Sequence, residues 1–135
     1  GSESRVCLRH SRVDECGYNN IHVDDQAKAH LDHTSSNGSK GGNGWFVSGN
    51  NCCLQATDSE SSRNAVDGAS ADSGACITLL QSKSCYNRGL GWSSWDSGSI
   101  TAVDSCSRGN GMGNAVKADN GHIHLAVLVT WAGSL

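Results

Sequence analysis

Seven cysteines and six histidines carry most of the chemistry this chain could perform, and their spacing limits what that chemistry is. Cys7, Cys16, Cys52, Cys53, Cys76, Cys85 and Cys106 contain no CxxC and no Cys/His spacing of the finger type. Tetrahedral zinc is therefore not indicated. Seven cysteines in 14.1 kDa instead fit an oxidising compartment, where each crosslink restricts the unfolded chain by about 2–4 kcal/mol. Six of the seven are expected in three disulfides of open connectivity, and the odd one leaves room for a disulfide-linked dimer. Cys52 and Cys53 are adjacent, so on a strand they point to opposite faces.

Among the histidines, His122 and His124 share a face if they lie on a strand, and His30 and His33 share one if they lie on a helix. Either pair has transition-metal geometry, but no carboxylate or thiolate is fixed beside it, so neither a metal nor any other cofactor is expected. General acid–base work by His122 or His124, with an acid such as Asp119, would make the protein a small hydrolase or ribonuclease. No GxSxG or HExxH arrangement supports catalysis, and Gly109 to Gly113 lacks the strand, the helix and the Lys-Ser/Thr of a phosphate loop. The chain reads as non-enzymatic.

Tyr86, Trp92 and Trp95, set among Gly and Ser with Asn87, Arg88 and Asp96, form the candidate binding constellation. Ring faces beside amide and carboxylate groups suit a sugar or a protein partner, as in a carbohydrate-binding module using Trp92 and Trp95. The competing reading makes them core residues, because aromatics are scarce. Asn37, in the only sequon, Asn37-Gly38-Ser39, is a candidate glycosylation site.

At 135 residues, and with nothing marking a linker, one domain over 1–135 is expected. The apolar fraction of 36% would leave hydrophobic burial alone marginal, so other forces must contribute. Ten basic and thirteen acidic residues are interspersed, which leaves no basic stripe for nucleic acid. No run of eighteen apolar residues offers a membrane span. Gly1 to Arg12 is polar, with no signal peptide, so a mature secreted form is expected. With seventeen glycines and no proline, turns must be made by Gly, Asn and Asp at positive φ.

The only sustained apolar run, Gly121 to Trp131, alternates Ile123, Leu125, Val127, Val129 and Trp131 on one face, which predicts a central strand. Val23, Ala27 and Leu31 recur at i, i+4 and i+8 and predict a helix within Ile21 to His33. Thr57-Asp58-Ser59-Glu60 fits a capping box and predicts a second helix over 58–67. Trp45 to Thr57 reads as a hairpin, 75–81 as a strand, and 100–104 as a strand or a short helix. Residues 34–44, 84–98 and 107–120 read as loops. The expected fold is α+β: an antiparallel sheet of four to five strands with two short helices and long Gly/Ser/Asn loops, stabilised by disulfides.

The order of landmarks is Cys7 and Cys16, then Trp45-Phe46-Val47, then Cys53-Leu54-Gln55, then a terminal strand ending in Trp131. This order resembles the killer-toxin-like secreted effectors of plant-associated fungi, which are similar to the virally encoded killer toxins of smut fungi. The resemblance implies a small disulfide-stabilised α/β sandwich that is toxic to competing microbes or acts on a host plant, without catalysis. The expected partner is a protein or glycan target on another cell.

Overall fold

The computed structural model describes residues 3–126. They form thirteen strands, beginning with β1 (Arg5–Arg9), β2 (Ile21–Val23), β3 (Lys28–Asp32), β4 (Trp45–Ser48), β5 (Cys53–Thr57), β6 (Ala69–Asp72) and β7 (Cys76–Leu80). The rest are β8 (Lys83–Cys85), β9 (Leu90–Ser94), β10 (Ser99–Val103), β11 (Cys106–Arg108), β12 (Gly113–Lys117) and β13 (His122–Ala126). A six-stranded sheet runs β1-β3-β5-β7-β10-β13, a five-stranded sheet runs β12-β9-β6-β4-β2, and β8 pairs with β11. Every pairing is parallel. The chain winds as a β-solenoid.

The winding has a fixed period. Strands of the large sheet begin at residues 5, 28, 53, 76, 99 and 122, so a coil takes 23 residues, or 25 between 28 and 53. Each coil turns its corners with residues at positive φ. One corner carries His10, His33, Asp58, Gln81 and Asp104 in successive coils, all with φ of 46–48°. Another carries paired residues such as Asp25-Gln26, Ser73-Gly74 and Asp96-Ser97, closed by bonds such as Ala27 N–H to Asp24 C=O at 2.9 Å. Two successive positive φ values with that i→i+3 bond make a type I′ turn, which Asn, Asp and Gly tolerate. Proline, fixed near −65°, has no place at these positions.

This architecture corrects the α+β expectation. No helix occurs among the described residues. Val23, Ala27 and Leu31 lie on a strand, a corner and a second strand, and it is the period-two pair Ala29 and Leu31 that β3 sends inward. The capping-box segment is the end of β5, the corner residue Asp58, and Glu60 in single parallel bridges to Ser35 and Lys83. Trp45 to Thr57 contains two strands, as expected of a hairpin, but β4 and β5 belong to different sheets and do not pair. Residues 75–81 and 100–104 hold strands β7 and β10. The segments read as loops at 84–98 and 107–120 hold β9 and β12 with parts of β8 and β11. Within the final apolar run, β13 is the last strand of the described sheet, with Leu125 63% exposed; Val127 to Trp131 lie outside the described residues.

Inside the coils, side chains stack on their counterparts one coil away. Large alternates with small: Trp45 registers with Ala69 and Ala69 with Trp92, while Leu31 registers with Ala56 and Ala56 with Leu79. Trp45, Ala69, Ala56, Leu31 and Leu79 are completely buried. Each small residue gives its larger neighbours room to spread, which is how a narrow coil reaches interior packing density. Ala69→Leu inserts three carbons between two indoles and should cost about 2–3 kcal/mol as a lowered urea midpoint. Ala65→Leu, at a half-buried loop position, should move it by less than about 0.5 kcal/mol.

The other half of the interior is polar. Ser-x-Ser-x-x-Asn occurs as Ser59 to Asn64, Ser82 to Asn87 and Ser105 to Asn110. The first serine ties one coil to the next: Ser82 Oγ donates to Leu80 C=O at 3.0 Å and accepts from Ser59 N–H at 3.2 Å. The second closes its own coil, Ser61 Oγ donating to Gly68 C=O and Ser84 Oγ to Gly91 C=O, both at 2.7 Å. The asparagines form a ladder, with Asn64 Nδ2 donating to Asn87 Oδ1 and Asn87 Nδ2 to Asn110 Oδ1, each at 2.9 Å. These bonds supply the stabilisation that the low apolar fraction leaves missing.

Candidate functional site

Because β-strand side chains alternate, the six-stranded sheet sends every second residue outward in straight rows. One row reads Cys7, His30, Gln55, Thr78, Thr101 and His124, and its neighbour reads Arg5, Lys28, Cys53, Cys76, Ser99 and His122. A cleft of about 600 Å³ crosses β1, β3, β5 and β7 over these rows. Arg5, Lys28, His30 and Gln55 supply its hydrogen-bonding groups, and Cys53 and Cys76 also line it. Those two form a disulfide, with Cα atoms 4.8 Å apart, that joins adjacent coils under the cleft.

At the cleft's basic end, Glu3 pairs with both Lys28 and Arg5. The hydrogen bond from Lys28, and then that from Arg5, hold the Glu3 carboxyl below its usual range, so it is ionised at neutral pH. Two cations facing one carboxylate leave this corner with net positive charge.

The cysteines sort by register. Cys53 and Cys76 face each other across β5 and β7 and are bonded, while Cys7, Cys16, Cys52, Cys85 and Cys106 carry thiols. Cys7 registers with His30, Cys85 with Arg108 and Cys106 with Lys83, so none of these three has a cysteine directly opposite. Cys52, just before β5, turns into the core, while Cys53, the first residue of β5, faces outward. Burial, and then the neighbouring Cys106, push the Cys85 thiol above its ordinary value.

Comparison with protein-family models, curated proteins and solved structures finds no match.

The aromatic constellation does not come together. Trp92 is 3% exposed and stacks in the core opposite Ala69, so it has no ring face to offer a ligand. Trp95 is half-buried beside a type I′ corner, and only Tyr86, 53% exposed with the Arg63 guanidinium 5.9 Å from its ring centre, faces solvent. Asn37 is a half-buried rung, its N–H donating to Asp14 Oδ1 and its own Oδ1 accepting from Ser62 N–H. His122 and His124 do share the outer sheet face, beside Ser99 and Thr101, while Asp119 occupies the preceding corner. His30 and His33 part company: His30 faces the cleft and His33 takes a corner. The cleft residues Arg5, Lys28 and Gln55 were not singled out by sequence, because each is an ordinary polar residue until parallel register aligns it with the others.

Proposed function

We propose that this protein is a secreted, non-enzymatic binding module that holds a glycan chain on the surface of another cell along the outer face of its six-stranded sheet. The observation that carries this reading is the cleft across β1, β3, β5 and β7, along which hydrogen-bonding side chains stand in rows between apolar stretches. Its polar groups, on Arg5, Lys28, His30, Gln55 and Thr78, can bond hydroxyls and carboxylates, and it contains no aromatic, Leu or Met anchor directed outward. Protein interfaces concentrate their affinity on Trp, Tyr and Arg, of which the cleft offers only Arg5, so an extended hydroxyl-bearing polymer suits it better. The excess of cations at the Arg5 end favours acidic sugars. Action on a host or competitor cell is what the proposal keeps from the resemblance to killer-toxin-like effectors, without their sandwich fold.

A panel of neutral and acidic polysaccharides, read by a binding titration, tests this. Lys28→Ala and Gln55→Ala should each weaken binding of the best ligand by about tenfold, the loss of one or two well-placed hydrogen bonds. His122→Ala with His124→Ala, beyond the cleft on β13, should leave it unchanged. Absence of binding to the whole panel would sink the proposal, as would equal affinities for wild type and cleft variants. Release of reducing ends that disappears in the double histidine variant would favour a hydrolase instead.

A further inference from the structure

The corner that follows each strand of the large sheet stacks one residue per coil at the same positive φ, and this brings together side chains far apart in sequence. His10 and His33 stand there in adjacent coils, with ring centres 5.0 Å apart and planes inclined by 28°. Asp32 precedes the corner, with its Oδ1 2.8 Å from His33 Nδ1. One nitrogen from each histidine and one Asp32 carboxylate oxygen all lie within 4.8 Å of one another. From the next coil, Asp58 places Oδ2 3.8 Å from His33 Nε2, so both nitrogens of that ring face carboxylates.

We infer that His10, His33 and Asp32 form a divalent transition-metal site, with Asp58 orienting the His33 ring. Two imidazoles and one carboxylate suit Zn²⁺, Cu²⁺ or Ni²⁺, whereas Mg²⁺ and Ca²⁺ prefer all-oxygen sets. Bonds of about 2.0–2.2 Å span at most about 4.4 Å between ligand atoms. Tetrahedral geometry sets the ligand atoms about 3.3–3.6 Å apart, so atoms standing up to 4.8 Å apart must close by up to about 1.2–1.5 Å, which rotation of exposed side chains supplies. A carboxylate hydrogen-bonded to the second nitrogen of a ligating histidine fixes its tautomer and makes it a better donor; Asp58, 3.8 Å from His33 Nε2, takes that part once its side chain swings in to hydrogen-bond distance. Water completes the coordination sphere. None of the three ligands lines the glycan cleft, although Asp32 ends β3 two residues beyond the cleft residue His30.

The test is a titration of ZnCl₂ and NiCl₂, with CaCl₂ as a control, into protein carrying no polyhistidine tag, followed by histidine ring NMR and calorimetry. Asparagine tolerates the left-handed backbone of these corners, so His10→Asn and His33→Asn are the variants of choice. Wild type should bind one Zn²⁺ with micromolar affinity, with the largest shifts on two histidine spin systems that the variants identify as His10 and His33. His10→Asn and His33→Asn should each weaken binding at least about 100-fold, and Asp58→Asn about tenfold. Circular dichroism of the variants should match wild type, because all four side chains are at the surface. Equal zinc affinity in wild type and His33→Asn would overturn the inference and assign the binding to the thiols. So would zinc binding that leaves both rings unshifted, tighter binding of Ca²⁺ than of Zn²⁺, or no binding at all.

Discussion

Gly68→Ala is expected to cost at least about 3 kcal/mol, read as a large loss of urea midpoint. Gly68 has no need of positive φ; it is glycine because there is no space. A Cβ there would sit 1.6 Å from Ser84 Oγ, 2.7 Å from Asn87 Nδ2 and 2.8 Å from Gly91 C=O. Ser84 Oγ is held by its bond to Gly91 C=O, and Asn87 is fully buried, so neither can swing away without breaking another rung. The same collision recurs at Gly44 with Ser61 Oγ and at Gly91 with Ser107 Oγ, both at 1.7 Å. Relief should be partial in Gly68→Ala/Ser84→Gly, which removes the nearest atom but leaves the amide and the carbonyl. Gly17→Ala meets nothing within 4 Å and should change stability by less than about 0.5 kcal/mol. A midpoint for Gly68→Ala equal to that of Gly17→Ala would mean that coils separate freely at this corner, contrary to the hydrogen-bond ladder.

Sequence reading captured strand propensity better than topology. The apolar run at 75–81 reads as a strand and holds β7, whereas 100–104 reads equally as a strand or a short helix, and only its register on β7 makes it β10. That turns run at positive φ was legible from the absence of proline, but their residues were not: beside Asn, Asp and Gly, the corners also place His10, Gln26, His33, Ser73, Gln81 and Ser97 there. Parallel pairing was not legible, since a corner such as Ser73-Gly74 has the same local chemistry as a hairpin turn and only the long-range register tells them apart. The 23-residue period is written in Ser-x-Ser-x-x-Asn and in Gly68 and Gly91, four residues after Asn64 and Asn87. Those are the residues a composition-based reading assigns to loops, because Ser, Asn and Gly usually point to water. Here they point inward. The cleft was illegible for a related reason: Arg5, Lys28 and Gln55 become neighbours only after two coils are wound, and His10 and His33 only after one.

Asn87→Ala is the second large effect, expected at about 3–4 kcal/mol, because it breaks the ladder at a fully buried rung bonded to the coils on both sides. Asn87 Oδ1 accepts from Asn64 N–H at 3.0 Å and from Asn64 Nδ2 at 2.9 Å, while its Nδ2 donates to Asn110 Oδ1 at 2.9 Å and reaches Ser61 C=O at 3.3 Å. Truncation leaves the Asn64 backbone donor in a site closed to water, and an unsatisfied buried group costs about 1–3 kcal/mol beyond the bonds themselves. Asn110→Ala, at a half-buried rung, should cost roughly half as much, because water can replace the lost partners. The ladder also predicts coupling: once Asn87 is gone, the Asn64 amide has lost the bond that links it to the next rung, though Asn20, Ser39 and Ser61 still hold it, so Asn64→Ala should cost less in that background than alone. A double-mutant cycle by urea denaturation should return an interaction of about 1–2 kcal/mol. Strict additivity, with Asn87→Ala costing under about 1 kcal/mol, would place the stability of the solenoid in its Trp, Leu and Ile stacks alone.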